Sequence, residues 1–333
     1  MDSLTQIVLG AAAGEAVLGK KVGNKAMFWG AVAGTIPDLD VMANFFTDTV
    51  SAIEIHRGFS HSIFFAILGA PIFGWLVWLL YKKQKATWKD WSWLFFWGLF
   101  THPLLDAFTT WGTQLFWPLK IRLAFQSIFV IDPLYTLPFL VLLILAMRHA
   151  KGSKKRKRFN KLGLLLSTLY LAIGLLLKGF AYQEFVTALE EQGIAYREID
   201  TRPSPFNTML WMANVELEES YLIGTYSLFD SKPISYRQIP KNHHVLEVLK
   251  YEDKIQRLIT ITEGWYAMTK KGDNIFFNDL RFGLLSLDPN EEQFAFSYEL
   301  KETENGLEVN EVPKFREDGK KLIFALWERI KGN

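Results

Sequence analysis

Three histidines (His56, His61, His102) and five aspartates (Asp2, Asp38, Asp40, Asp106, Asp132) lie within apolar segments or at their ends. Imidazole nitrogens combined with carboxylate oxygens, without thiolate, make a donor set for Zn²⁺, Mn²⁺, Fe²⁺ or Mg²⁺. The chain has no cysteine, which excludes a soft-metal site, a disulfide scaffold and a thiol enzyme. The expected cofactor is a divalent metal, zinc first, as one or two ions held by these eight residues. A pair of ions about 3.5–4 Å apart activates a water and clamps both oxygens of a displaced phosphate or acyl group. Arg57, beside His56, is the expected electrostatic partner of an anionic transition state. Asp38 and Asp106 are expected to share in catalysis.

Local spacing supports ligation. His102 and Asp106 are i,i+4 and share one helix face, while Pro103 removes a backbone bond and opens the helix beside them. His56 and His61 are off-face for a continuous helix. Gly58 permits a sharp turn, and Ser60 is the expected N-cap of a helix beginning at His61. Pro37 sets a turn that presents Asp38 and Asp40. Taken singly, each residue has an ordinary alternative: an interior histidine at position 102, a helix start at Asp132 before Pro133, turn residues at 38 and 40. Glu15 interrupts the first apolar run and is read as either a support for the ligands or a structural group in the bundle. The His243-His244 pair is expected in a solvated loop.

These side chains must be positioned by membrane helices. Apolar stretches cover residues 7–18, 26–36, 62–81, 93–116, 128–147 and 162–181, several near the roughly 20 residues that span hydrocarbon. The expected fold of residues 1–181 is a transmembrane helical bundle of four full spans plus a short N-terminal helical hairpin. A cleavable signal peptide is not expected at the start, where Asp2 and Glu15 interrupt the required pattern. Basic residues collect in three connections: Lys20, Lys21 and Lys25; Lys82, Lys83, Lys85 and Lys89; and residues 148–161, with the run Lys154-Lys155-Arg156-Lys157-Arg158. By the positive-inside rule these face the cytoplasm. Every histidine and aspartate named above except His243 and His244 then falls on the extracytoplasmic side. A charge at a helix centre costs roughly 2.5–3.5 kcal/mol on insertion scales, so a shared compensating partner is required.

The two halves differ in charge: residues 1–180 carry 19 basic and 9 acidic side chains, residues 181–333 carry 18 and 26. Residues 182–333 are expected to form a soluble, β-rich α+β domain outside the membrane. Alternating patterns at 209–217, 221–229, 256–268, 274–284 and 293–300 suggest an antiparallel sheet. An amphipathic helix over 314–330 would close it, with Phe315, Leu322, Ile323, Leu326 and Ile330 as its packing face. No nucleophile motif or phosphate loop is visible there.

Five motifs resemble the YdjM-like family, described as LexA-binding, inner-membrane-associated, metal-dependent hydrolases of bacteria. They are Met1-Asp2-Ser3-Leu4-Thr5-Gln6, Gly34-Thr35-Ile36-Pro37-Asp38-Leu39-Asp40, His56-Arg57-Gly58-Phe59-Ser60-His61-Ser62, Thr101-His102-Pro103-Leu104-Leu105-Asp106 and Ile131-Asp132-Pro133-Leu134-Tyr135. The resemblance implies a multi-pass protein of the bacterial inner membrane whose His and Asp residues bind metal and support hydrolysis. A lipid or lipid-linked (phospho)ester is the substrate class expected from the site's depth. The rival reading is a non-catalytic membrane binding or regulatory protein with a structural metal site, engaging a cytoplasmic regulator through the basic loop. Direct nucleic-acid binding is not expected, since no recognition helix accompanies that loop. A transporter fits less well, for want of an inverted repeat.

Overall fold

The carboxylate of Asp2 accepts from the Thr5 backbone N–H and opens the first helix, α1 (Ser3–Val22). Gly23, at φ +64°, ends it and turns the chain into α2 (Asn24–Thr35), a positive φ that costs glycine little. The two helices run antiparallel and meet through glycines. A Cβ on Gly10 would strike the Gly30 carbonyl, and one on Gly34 would lie 2.6 Å from the Gln6 carbonyl oxygen. The two short apolar segments therefore form a helical hairpin whose backbones touch.

The computed structural model describes residues 1–285, 293–304, 306–313 and 319–333. The chain packs as two compact units, one of residues 1–43, 55–176 and 205–207, the other of 44–54, 177–204 and 208–333. Two exchanges in this division leave no trace in the sequence: residues 44–54, which hold most of the helix α3 (Thr49–Ile55), pack with the second unit, and 205–207 with the first.

In the first unit, a 3-10 stretch (Ile36–Phe45) follows the hairpin, and a second 3-10 turn (Phe59–His61) precedes α4 (Ile63–Leu80). The cap of α4 is Ser62, whose hydroxyl accepts from the Phe65 N–H at 3.1 Å, and not Ser60 as the sequence suggested. A capping box of Thr87 and Asp90 opens α5 (Trp88–Asp106). Asp132 caps α6 (Pro133–Met147), and α7 (Lys154–Glu191) runs for 38 residues. Trp91, Leu94, Phe95 and Leu99 of α5 are buried against Leu18, Ala33 and Ala66, which fixes the face that α5 turns to the hairpin.

Among the described residues two helices, Ile63–Leu80 and Lys154–Glu191, are long and apolar enough to cross a membrane, and Pro133–Met147 is a shorter apolar helix. The segment read as 93–116 is helical only to Asp106. Beyond it, Gly112 takes φ +60° and Thr113 bridges Leu123, so the chain doubles back instead of continuing. Conversely α7 overruns the apolar 162–181 stretch at both ends, because its charged flanks contain good helix formers and no proline.

Among the described residues the second unit holds two four-stranded antiparallel sheets, each strand paired to its neighbour in sequence. The first contains β1 (Glu198–Pro203), β2 (Leu210–Glu216), β3 (Ser220–Ser227) and β4 (Tyr236–Pro240). The second contains β5 (Tyr266–Lys271), β6 (Asn274–Leu284), β7 (Phe294–Thr303) and β8 (Gly306–Glu311). The expected strand at 256–268 is corrected: its first part lies in a helix (Asp253–Ile261) with Ile255 and Leu258 buried. Those two are three apart, a helical spacing that alternation had masked. A helix of residues 49–55 (Thr49–Ile55) places Val50 in the same core, and Glu54 accepts from Arg257 at 2.7 Å. In the closing helix (Gly319–Ile330), Ile330 is buried but Ile323 is 58% exposed, so Ile323 is not on the packing face; Phe315 lies outside the described residues. His243 is not in a solvated loop either: it stacks on Tyr266 at 4.1 Å and its Nε2 donates to the Tyr266 carbonyl, while His244 is exposed.

Candidate metal centre

The helix α5 delivers His102 and Asp106 on one face, one turn apart. The 3-10 turn before α4 delivers His61, and the 3-10 stretch after α2 delivers Asp38. One donor atom from each of these four lies within 4.8 Å of every other. The atoms are Nε2 of His61, Nε2 of His102, Oδ1 of Asp38 and Oδ2 of Asp106. The two nitrogens are 3.1 Å apart. His61 Nε2 is 3.4 Å from both carboxylate oxygens, and His102 Nε2 is 3.3 Å from Asp38 and 3.6 Å from Asp106. A tetrahedral ion with ligand bonds of about 2.0–2.1 Å requires ligand-to-ligand edges of about 3.3 Å. The donors therefore stand around a volume of the right size for one small divalent cation.

The outward nitrogens decide what the inward ones can do. His102 Nδ1 is 2.6 Å from the Gly34 carbonyl, which can only accept, so Nδ1 carries the hydrogen. His61 Nδ1 faces the Asp40 carboxylate at 3.1 Å and the Ser60 hydroxyl oxygen at 3.0 Å. In the neutral tautomers both Nε2 lone pairs then point at each other and at two carboxylate oxygens. Asp106 Oδ2 is buried without a hydrogen-bond partner among the described residues. Four electron-rich atoms in one buried spot need a cation or a proton between them. Burial pushes the His61 imidazolium down, but the carboxylates of Asp106, Asp38 and Asp40 outweigh burial and hold its pKa at about 10. Burial also opposes ionisation of Asp38 and Asp40, yet the neighbouring imidazoles, His102 and His61 at Asp38 and His56 and His61 at Asp40, keep both well below the usual carboxylate range.

Around this set stands a second layer of contacts. Asp40 accepts from His56 Nδ1 at 2.8 Å, the Arg57 N–H at 3.0 Å and the Ser60 hydroxyl at 2.7 Å, besides facing His61. Asp40 and His56 are thus placed behind His61, outside the four-donor group. Arg57 is buried; its Nε lies 3.4 Å from Asp106 Oδ2, and its Nη1 donates to the Thr109 hydroxyl and the Gly112 carbonyl. Gln6 donates to Asp106 Oδ1 at 3.1 Å, and the amine of Met1 bonds the same oxygen.

Asp2 and Asp132 fall outside the four-donor group, and each caps a helix. Asp2 accepts from Thr5, and Asp132 accepts from the Leu134 and Tyr135 N–H groups and from the Tyr170 hydroxyl at 2.9 Å. Glu15 is a structural group: it takes Arg156 on both oxygens, at 2.6 and 2.5 Å, in a buried pair that Asn24 and the His149 carbonyl complete. One charge of the basic run is therefore spent inside the bundle. Gln6, the Gly34 carbonyl and Thr109 were not foreseen as part of the site. Gln6 alone left a signal, as a polar side chain in an apolar helix beside Asp2.

Comparison with known proteins gives a family match over more than half of the chain, to the model described as YdjM inner membrane protein, across residues 1–181. No curated protein and no solved structure matches.

Proposed function

The chain belongs to the YdjM inner membrane protein family, and from that premise we propose that it is a membrane-embedded, metal-dependent hydrolase. The observation that carries this reading is the spacing of the Asp38, His61, His102 and Asp106 donor atoms, all within 4.8 Å of one another. Bound there, a divalent ion would lower the pKa of a water and polarise a phosphoryl or acyl oxygen. The protein's own residues supply the rest. Asp38 is the exposed edge of the set, with 22% of its side chain open against none for His61, His102 and Asp106, so substrate meets the centre on that side. Asp40 fixes the ring of His61, and the Gly34 carbonyl fixes that of His102. Arg57 offsets and orients Asp106, which makes it a positioning residue.

The proposed topology has four spans around the hairpin, basic loops in the cytoplasm, and the metal centre and the β-rich unit at the outer face. The positive-inside distribution supports it. That depth favours a lipid or lipid-linked (phospho)ester as substrate. Purified protein should contain stoichiometric metal and turn over lipid, and His102→Ala or Asp106→Ala should lose the metal during purification and the turnover with it. Metal-free protein with full turnover would refute the assignment. A reporter fused to the C-terminus should be active only outside the cytoplasm.

One observation favours a second reading. Four protein donors can close a tetrahedron without leaving a position for water, as structural sites do. On that reading the ion holds the bundle together and the protein is a binding or regulatory component. Retained metal with no hydrolytic turnover of any membrane lipid would favour it.

A further inference from the structure

Fourteen residues along α1 from Gln6, about 21 Å at 1.5 Å per residue, a cavity of about 280 Å³ opens where α1 ends and α7 begins. Lys20, Lys157 and Lys161 line it, together with Glu15, Asn160 and Leu164. The Glu15 carboxylate is already paired with Arg156. None of the three lysines has an ion pair among the described residues, so the cavity carries uncompensated positive charge. Lysines at a water surface need no partner, and charge alone would mean little.

The second observation is Asn160. It is only 4% exposed, and its Nδ2 donates to the Ala12 carbonyl at 3.0 Å, which fixes the orientation of the amide. Its Oδ1 is consequently a buried acceptor, with no partner among the described residues. An unpaired buried acceptor is costly, and native structures rarely leave one without a donor. The cavity thus asks for a ligand with an anionic group for the lysines and a hydroxyl for Asn160. Leu164 lies at its wall, and the next residues on the open face of α7, Leu165 and Leu169, are 58% and 50% exposed. This helix is long and apolar enough to cross a membrane, so an apolar path leads away from the charged cavity.

We propose that this cavity binds a glycerol phosphate group, carried by an anionic glycerophospholipid. Lys20, Lys157 and Lys161 hold the phosphate, Asn160 Oδ1 accepts from the headgroup hydroxyl, and the acyl chains follow the Leu164 to Leu169 face. The site is independent of the metal centre and of any hydrolytic role.

Full-length protein in detergent can be titrated with phosphatidylglycerol, phosphatidylcholine and phosphatidylethanol of identical chains, with adduct occupancy read by native mass spectrometry. Phosphatidylglycerol should bind in preference to phosphatidylcholine. Phosphatidylethanol, of equal charge but lacking the hydroxyl, should bind several-fold more weakly. The pair Lys157→Gln/Lys161→Gln should lose about tenfold or more of the phosphatidylglycerol affinity. The control Lys154→Gln/Lys155→Gln removes the same charge from exposed positions of the same helix outside the cavity lining, and should bind like the parent protein. Equal losses in the two double variants, or no lipid preference in the parent, would overturn the proposal. Glycerol 3-phosphate is the soluble arm: competition with the lipid at millimolar concentration would assign the same chemistry to a free phosphate ester, and no competition assigns it to the lipid.

Discussion

The Nε2 atoms of His61 and His102 lie 3.1 Å apart, although 41 residues separate them in the chain. Each ring has its other nitrogen turned to an oxygen: Gly34 for His102, Asp40 for His61. At that distance the two nitrogens need a proton or a cation between them. The relationship makes sense as two corners of a coordination shell, and the surrounding contacts can be tested as parts of it.

Asp40 holds His61 and does not belong to the four-donor group. Asp40→Asn should therefore leave the protein folded and weaken metal affinity about 10- to 100-fold, the usual effect of removing a partner behind a ligand. Competition with a chromophoric chelator measures this. A variant that binds metal as tightly as the parent would remove Asp40 from the site.

Metal uptake should depend on pH. Without a cation, the carboxylates of Asp106, Asp38 and Asp40 hold the His61 imidazolium pKa at about 10 against the pull of burial. Below that pH an incoming ion displaces a proton, so affinity rises as pH rises, about tenfold per unit while one proton is released. Calorimetry in two buffers of different ionisation enthalpy should count about one proton per ion at neutral pH. A pH-independent affinity with no proton release would contradict this.

The hairpin should tolerate no side chain at Gly34. A Cβ there would sit 2.6 Å from the Gln6 carbonyl oxygen, and separating backbones in a packed interior costs about 1–3 kcal/mol. The Gly34 carbonyl also holds His102, and Gln6 holds Asp106. Gly34→Ala should thus lower thermal stability and metal affinity together. Unchanged affinity in a destabilised variant would uncouple the hairpin from the centre.

At the other end of α1, the buried Glu15–Arg156 pair predicts asymmetric behaviour. Breaking it by Glu15→Gln leaves a buried guanidinium without its counter-charge, at a cost of about 3–5 kcal/mol. The double variant Glu15→Gln/Arg156→Met should recover much of that loss. Denaturation of the single and double variants in the same detergent reads both, and equal stability of the single variant and the parent would argue against a buried pair.

The i,i+4 pair of His102 and Asp106 was legible in the sequence because a helix converts spacing directly into direction. Asp38 was legible from Pro37 and the apolar run ahead of it. The division of labour among the other aspartates was not. Aspartate is both a metal ligand and a favoured N-cap, and only the fold shows Asp2 and Asp132 serving as caps while Asp40 stands behind His61. The contacts of Gly34 and Gln6 were hidden because they depend on how closely two helices approach. In the β-rich unit, the alternation of residues 256–268 concealed a helix. The strands at 198–203, 236–240 and 306–311 are short or interrupted by polar residues, and pairing with the neighbouring strand made them strands. The docking of residues 44–54 into the second unit is a tertiary event that no local pattern announces.

X-ray absorption at the metal edge of the purified, membrane-extracted protein tests the central claim most directly. If Asp38, His61, His102 and Asp106 hold one ion, the spectrum should show two imidazole nitrogens among about four to five nitrogen and oxygen ligands near 2.0–2.1 Å, and the imidazole signature should fall by half in His61→Ala protein reconstituted with metal. An all-oxygen shell, or an imidazole signature unchanged by that substitution, would contradict the account.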